Sequence, residues 1–201
     1  MPSFEYEKRF AGPIAGVDEA GRGPLAGPVF AAAAIIDRER ATRKLLKLID
    51  DSKKLTPERR ERAYESMIAS GGVQFAVAEA SVEEIDRINI LQATFLAMRR
   101  AVQALTVAPL LALIDGNRAP PQLGCRAETI VGGDAQSYSI AAASIFAKVA
   151  RDRHMVMLAE AFPGYGWESN RGYGSAQHLQ ALKQLGPTPH HRMSFAPLRA
   201  K

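Results

Sequence analysis

The chain of 201 residues is 47% apolar and 23% charged, which suits one folded domain with its own core and excludes wholesale disorder. Its one cysteine, Cys125, excludes an internal disulfide framework or a cysteine-built zinc site, and no apolar run approaches the roughly 20 residues of a membrane span. The net charge of +5 comes from residues 141–201, where the basic residues from Lys148 to Lys201 outnumber Asp152, Glu160 and Glu168, and this asymmetry favours a polyanionic partner.

The opening MPSFEYEKRF lacks the apolar stretch of a signal peptide, so a cytoplasmic protein is expected. Ile14 to Asp18 and Val29 to Ile36 read as buried strands joined by a loop rich in Gly and Pro. Asp37 to Lys54 is charged and without period, and no element is assigned there. Thr56 before Pro57 caps a helix that Gly71-Gly72 ends. Val73 to Ala80 alternates as a third strand, and Ser81 with Glu84 forms a capping box that opens a helical region. Within it Leu91, Phe95, Met98, Val102 and Leu105 make one buried stripe. Leu110 to Ile114 and Glu128 to Val131 are two further strands, ending at Asp115-Gly116 and at Gly132-Gly133-Asp134. A long helix follows from Ser137 to about Phe162, its Ala141-Ala142-Ala143-Ser144 stretch small enough to pack close to a sheet. Ser175 to Leu185 forms a shorter helix before a tail punctuated by prolines. Five strands with helices between and after them predict α/β layers around a mixed sheet. We expect a single domain, with a core of about 12–160 and a small helical C-terminal part of about 161–201.

Asp18-Glu19, Asp115 and Asp134 share one kind of position, where an apolar strand gives way to a loop containing glycine. Ligand sites of α/β sheets collect at such strand ends. Carboxylates gathered there repel one another, and a divalent cation relieves the conflict. All-oxygen ligation suits Mg²⁺ or Mn²⁺, and two such ions serve phosphodiester hydrolysis. Each acid also has a plainer use: Asp115-Gly116 is an ordinary turn, and Asp134 can start the long helix. Neighbours in a regular strand point to opposite faces, so Asp18 and Glu19 reach one cluster if the strand bends or ends at Glu19. Gly21, Gly23 and Ala26 fit a loose G-x-G-x-x-A dinucleotide fingerprint, but Pro24 and Pro28 deny it the helix it must open. The glycines instead let the backbone approach a ligand closely, with Arg22 at hand for a phosphate or hydroxyl.

Together these segments resemble ribonuclease HII, the type 2 ribonuclease H family. The likeness rests on Gly16 to Gly27 (GVDEAGRGPLAG), Asp51 to Leu55 (DSKKL), Leu113 to Asn117 (LIDGN) and Gly133-Asp134. It continues through Ser139 to Lys148 (SIAAASIFAK), Arg151 to Arg153, Gly172 to Ser175 (GYGS) and His191 to Phe195 (HRMSF), in family order over nearly the whole chain. The resemblance implies a ribonuclease H-like fold with a five-stranded mixed sheet. It implies that Asp18, Glu19, Asp115 and Asp134 are catalytic acids binding Mg²⁺ or Mn²⁺, two ions in the catalytic complex. By the same resemblance Gly21, Arg22 and Gly23 read the ribose 2′-hydroxyl, and Tyr173 stacks on the deoxyribose that follows. The implied activity is endonucleolytic hydrolysis of RNA in RNA–DNA hybrids, and cutting 5′ to ribonucleotides embedded in duplex DNA, leaving a 3′-hydroxyl and a 5′-phosphate. Lys53 and Lys148 are expected to hold phosphates without reading bases. A monomer with no membrane partner is expected. Ser175 stands where threonine is commoner and keeps the hydroxyl; Glu168 falls in a stretch that is lysine-rich elsewhere. The rival readings are a non-catalytic hybrid-binding module and a nucleotide-cofactor enzyme.

Overall fold

The sheet has the order β3-β2-β1-β4-β5, built from β1 (Ile14–Ala20), β2 (Val29–Ile36), β3 (Val73–Ala80), β4 (Leu111–Asp115) and β5 (Arg126–Ile130). This computed structural model describes residues 1–199; Lys201, one of the basic residues counted above, lies outside them. β1, β2 and β3 form an antiparallel meander, while β4 and β5 run parallel to β1, so the sheet is mixed as expected. The central strand β1 therefore ends beside β4 at the same edge, and that edge collects the acids.

Helix α1 (Arg43–Leu46) lies within the charged stretch where no element was expected, started by the Thr42 hydroxyl accepting from the Leu45 N–H at 3.2 Å. α2 (Pro57–Ala69) begins at the expected Thr56 cap. α3 (Val82–Gln103) opens with the expected capping box, but breaks at Asn89, whose φ is 67°. The Asn89 carboxamide oxygen accepts from the N–H groups of Leu91 and Gln92, restarting the helix just where the buried stripe begins. α4 (Tyr138–Ala161) is capped by Ser137, and α6 (Ala176–Leu185) by Ser175, so the hydroxyl at 175 is in use. Between them α5 (Trp167–Asn170) is a four-residue turn of helix that the sequence pattern does not reveal.

The two faces of the sheet follow the alternation of β1 and β2. Ala15, Val17, Ala31 and Ala33 pack against α3 with Phe95, Met98 and Val102. Ala32 and Ala34 pack against the small-residue stretch Ala141, Ala142 and Ala143 of α4. Gly16 sets this contact, because a Cβ there would stand 2.0 Å from the Ser139 carbonyl carbon and 2.1 Å from the Ile140 nitrogen. Any side chain at 16 would push α4 off the strand that carries Asp18.

Candidate active site

β1 does not end at Glu19: its ladder continues through Glu19↔Ala31 and Ala20↔Phe30, so the stop at Glu19 that the sequence allowed is not found. Alternation then sends Asp18 toward α4 and Glu19 toward α3. Asp18 is 3% exposed and is steadied by the Glu19 N–H at 2.7 Å and by the Ser144 hydroxyl of α4, which also meets Ser52 Oγ at 2.8 Å. One residue beyond the last β1–β4 register pair, Val17↔Ile114, Asp115 ends β4 on the same face as Asp18. Its carboxylate accepts from the Gly133 N–H at 2.7 Å, which ties the end of β4 to the short 3-10 turn Gly133–Ala135. Asp134, in that turn, is buried, with Lys53 Nζ at 3.8 Å.

Burial, then the charges of Glu19 and Asp115, hold the Asp18 carboxyl well above the ordinary carboxylate range. Burial also raises Glu19, against the pull of Arg22 at 3.4 Å. Asp134 is raised by burial and by Asp51 and Asp115, against the pull of Lys53. Lys53 loses some basicity to burial, but Asp18, Asp134, Asp51 and Asp115 together push it up. Asp18, Glu19 and Asp134 thus each feel the charge of Asp115, and Asp51 acts on Asp134 as a fifth acid. It stands in the DSKKL block, and its acidity beside the lysine is the signal that could have marked it. Among the described residues, no group of three or more His, Cys, Asp or Glu side chains is drawn together closely enough to form a ready metal cage. The donor set nonetheless fits a hard cation: carboxylate oxygens alone, with Asp18 and Asp134 buried and only Arg22 and Lys53 as positive partners.

Two grooves meet at Glu19 and Arg22. One, of about 280 Å³, gathers Glu19, Gly21, Arg22, Gly23, Lys53, Lys148 and Tyr173 with Ser144 and Arg151. The other, of about 290 Å³, has Asp115, Asn117 and Arg118 on one side and Leu91, Phe95 and Met98 of α3 on the other. Tyr173 is 49% exposed, and its Cε1 lies 3.5 Å from where a Cβ on Gly23 would stand, so loop and ring are facing walls. Lys148 is not a free cation: its amine sits 2.6 Å from Asp152, and burial lowers its basicity despite that partner. Lys53, by contrast, leans over the acids with most of its side chain exposed.

Sequence reasoning missed the buried arginines behind this groove. Arg151 donates to the carbonyls of Ala26, Pro28 and Arg171. Arg192 donates to those of Gly21, Arg22 and Gly27. Burial pulls them down to about 10 and about 9, so both remain charged at neutral pH.

A family model described as Ribonuclease HII matches residues 15–198. A Ribonuclease HII of Rhodospirillum rubrum is 59% identical over 99% of this chain and 91% of its own length. A Ribonuclease HII of Paramagnetospirillum magneticum is likewise 59% identical, over 98% of this chain and 97% of its own. Among solved structures, the ribonuclease H2 of Pyrococcus horikoshii superposes with a TM-score of 0.75 at 28% identity, covering 94% of this chain and 96% of that one.

Proposed function

The chain belongs to the ribonuclease HII family, endoribonucleases of RNA–DNA hybrids, and from that premise we propose what each part of its site does. It hydrolyses the RNA strand of hybrids and also nicks duplex DNA on the 5′ side of an embedded ribonucleotide. Water adds to phosphorus and the bond to the upstream 3′-oxygen breaks, so the products are a 3′-hydroxyl and a 5′-phosphate. Asp18, Glu19, Asp115 and Asp134 are the residues that hold two Mg²⁺ or Mn²⁺ ions. Bound there, such ions supply an activated water and neutralise the leaving oxygen.

The remaining residues sort the substrate. Only the 2′-hydroxyl distinguishes RNA from DNA locally, and the Gly21–Gly23 backbone comes close enough to bond it. Arg22, pinned by Glu19, presents its guanidinium to the same sugar-phosphate unit. Tyr173 stacks on the next sugar, where a ribose would carry one oxygen too many. Lys53 meets the scissile phosphate, and Lys148, paired with Asp152, adds positive field rather than a free ligand. The chain acts as a monomeric, single-domain cytoplasmic enzyme; among the described residues no helix is long and apolar enough to cross a membrane.

The observation that carries this reading is the groove that gathers Glu19, the Gly21–Gly23 loop, Lys53 and Tyr173 from three separate parts of the chain. Incubation with a DNA duplex holding one ribonucleotide, with Mg²⁺ or with EDTA, tests it. Nicking 5′ to the ribonucleotide that EDTA abolishes is expected. Binding that persists in EDTA with no nicking in Mg²⁺ would make the protein a hybrid-binding module instead.

A further inference from the structure

We propose that Arg192, which lies outside the groove, is a positioning residue for ribose recognition: it fixes the Gly21–Gly23 backbone against Tyr173. The proposal rests on the reading of that loop given above. Arg192 is 0% exposed. Its Nη2 donates to the Gly21 carbonyl at 2.6 Å, its Nη1 to Arg22 at 2.9 Å and its Nε to Gly27 at 2.9 Å. Its own N–H donates to the Leu25 carbonyl at 2.8 Å. A buried cation is costly, and an apolar side chain would fill the space more cheaply. What only the guanidinium supplies is a rigid planar fork of donors that ties three carbonyls of one irregular loop together.

The loop needs such a tie because residues 21–28 lie outside the ladder between β1 and β2. The tail that delivers Arg192 is itself anchored. Asp86 of α3 accepts from the Met193 N–H at 2.9 Å, the Ser194 N–H at 3.0 Å and the Ser194 hydroxyl at 2.6 Å. The neighbouring residue reaches the opposite wall. His191 Nε2 lies 3.1 Å from His178 Nε2, and His178 Nδ1 lies 2.9 Å from the Tyr173 carbonyl oxygen. Two consecutive residues thus link to both walls of the slot, Arg192 directly and His191 through His178. A displacement of the order of 1 Å there misaligns the sugar and the phosphate attached to it.

The test compares Arg192→Lys, Gly23→Ala and Leu158→Ala with the parent chain on a duplex carrying one ribonucleotide, measuring kcat and KM separately. Lysine keeps the charge but cannot span three carbonyls. Arg192→Lys is expected to lose roughly tenfold or more in kcat/KM, carried by kcat, as misplacement predicts. Leu158→Ala loosens the same C-terminal cluster, which includes Ala26, but removes none of the three Arg192 side-chain hydrogen bonds, and is expected to keep the parent kinetics at a similar loss of melting temperature. Gly23→Ala meets only ordinary contact at 3.5 Å, so it folds, and its methyl intrudes into the slot. Impaired Gly23→Ala with parental Arg192→Lys overturns the positioning role and leaves the slot standing. Silent Gly23→Ala overturns the slot and the proposal together. If Arg192→Lys does not fold, Asp86→Asn weakens the anchor from the surface: a lowered kcat supports the proposal, and parental kinetics refutes it.

Discussion

Acid should loosen the part of the chain that carries Tyr173 before the rest, and His191 is the reason. His191 is 1% exposed, and its ring packs against both Tyr165 and Trp167. The Thr188 N–H donates to His191 Nδ1 at 2.9 Å, so the ring carries its proton on Nε2, facing His178 Nε2. The Trp167 indole N–H also donates to His178 Nε2, at 3.0 Å, so His178 is neutral with its proton on Nδ1, facing the Tyr173 carbonyl. A further proton on either ring would set two N–H groups against each other. Burial, then the repulsion a protonated His178 or His190 would exert, push His191 from 6.5 down to about 4, while burial lowers His178 as well. The unfolded chain therefore takes up a proton below about pH 6.5 that the folded chain refuses until about pH 4. The contribution of His191 is fully present above that window and is lost as pH falls through it. Linkage gives about 2 kcal/mol of stability lost between about pH 7.5 and about pH 5 from this residue alone. The raised acids Asp18, Glu19 and Asp134 act with the opposite sign, so the parent must be compared with His191→Gln in urea unfolding across this range. The gap between the two proteins should narrow by about 2 kcal/mol on going to about pH 5. A gap that does not change with pH would refute the reasoning.

Tyr173→Ala is expected to slow cutting at a lone ribonucleotide in DNA more than cutting within continuous RNA, measured as kcat/KM on the two substrates; equal effects would remove its role at the junction. Gly16→Ala should destabilise the protein by about 1–3 kcal/mol or more in thermal unfolding, since the new Cβ meets backbone rather than yielding side chain. Asp18→Asn should raise the melting temperature of the metal-free protein while abolishing cleavage, because it removes a buried charge that Glu19 and Asp115 oppose. A lowered melting temperature would mean that the Asp18 charge is compensated in a way its neighbours do not reveal.

The strands, the caps at Thr56 and Ser81 and the small-residue stretch of α4 were legible because each shows in neighbours within a few residues, whereas the Ser137 cap was not singled out. The short α1 and α5 were not: four residues carry no period to read. The four acids were legible as strand-end positions, but their arrangement was not. Continuation of β1 to Ala20 is decided by pairing with β2, which turns Glu19 away from Asp18. The Lys148–Asp152 pair stood in plain view at helical i, i+4 spacing, and reading it would have tempered the expectation of a free phosphate-binding lysine. Arg192 was out of reach, since its partners Gly21 and Arg22 lie about 170 residues away and its role depends on backbone carbonyls that no sequence pattern displays.

Calorimetric titration with Mn²⁺ in the presence of an uncleavable hybrid asks directly whether the acids act together on divalent ions. Two ions per chain are expected in the parent, and Asp115→Asn should lose at least one while still binding the hybrid. Unchanged stoichiometry and affinity in that variant would contradict the shared site.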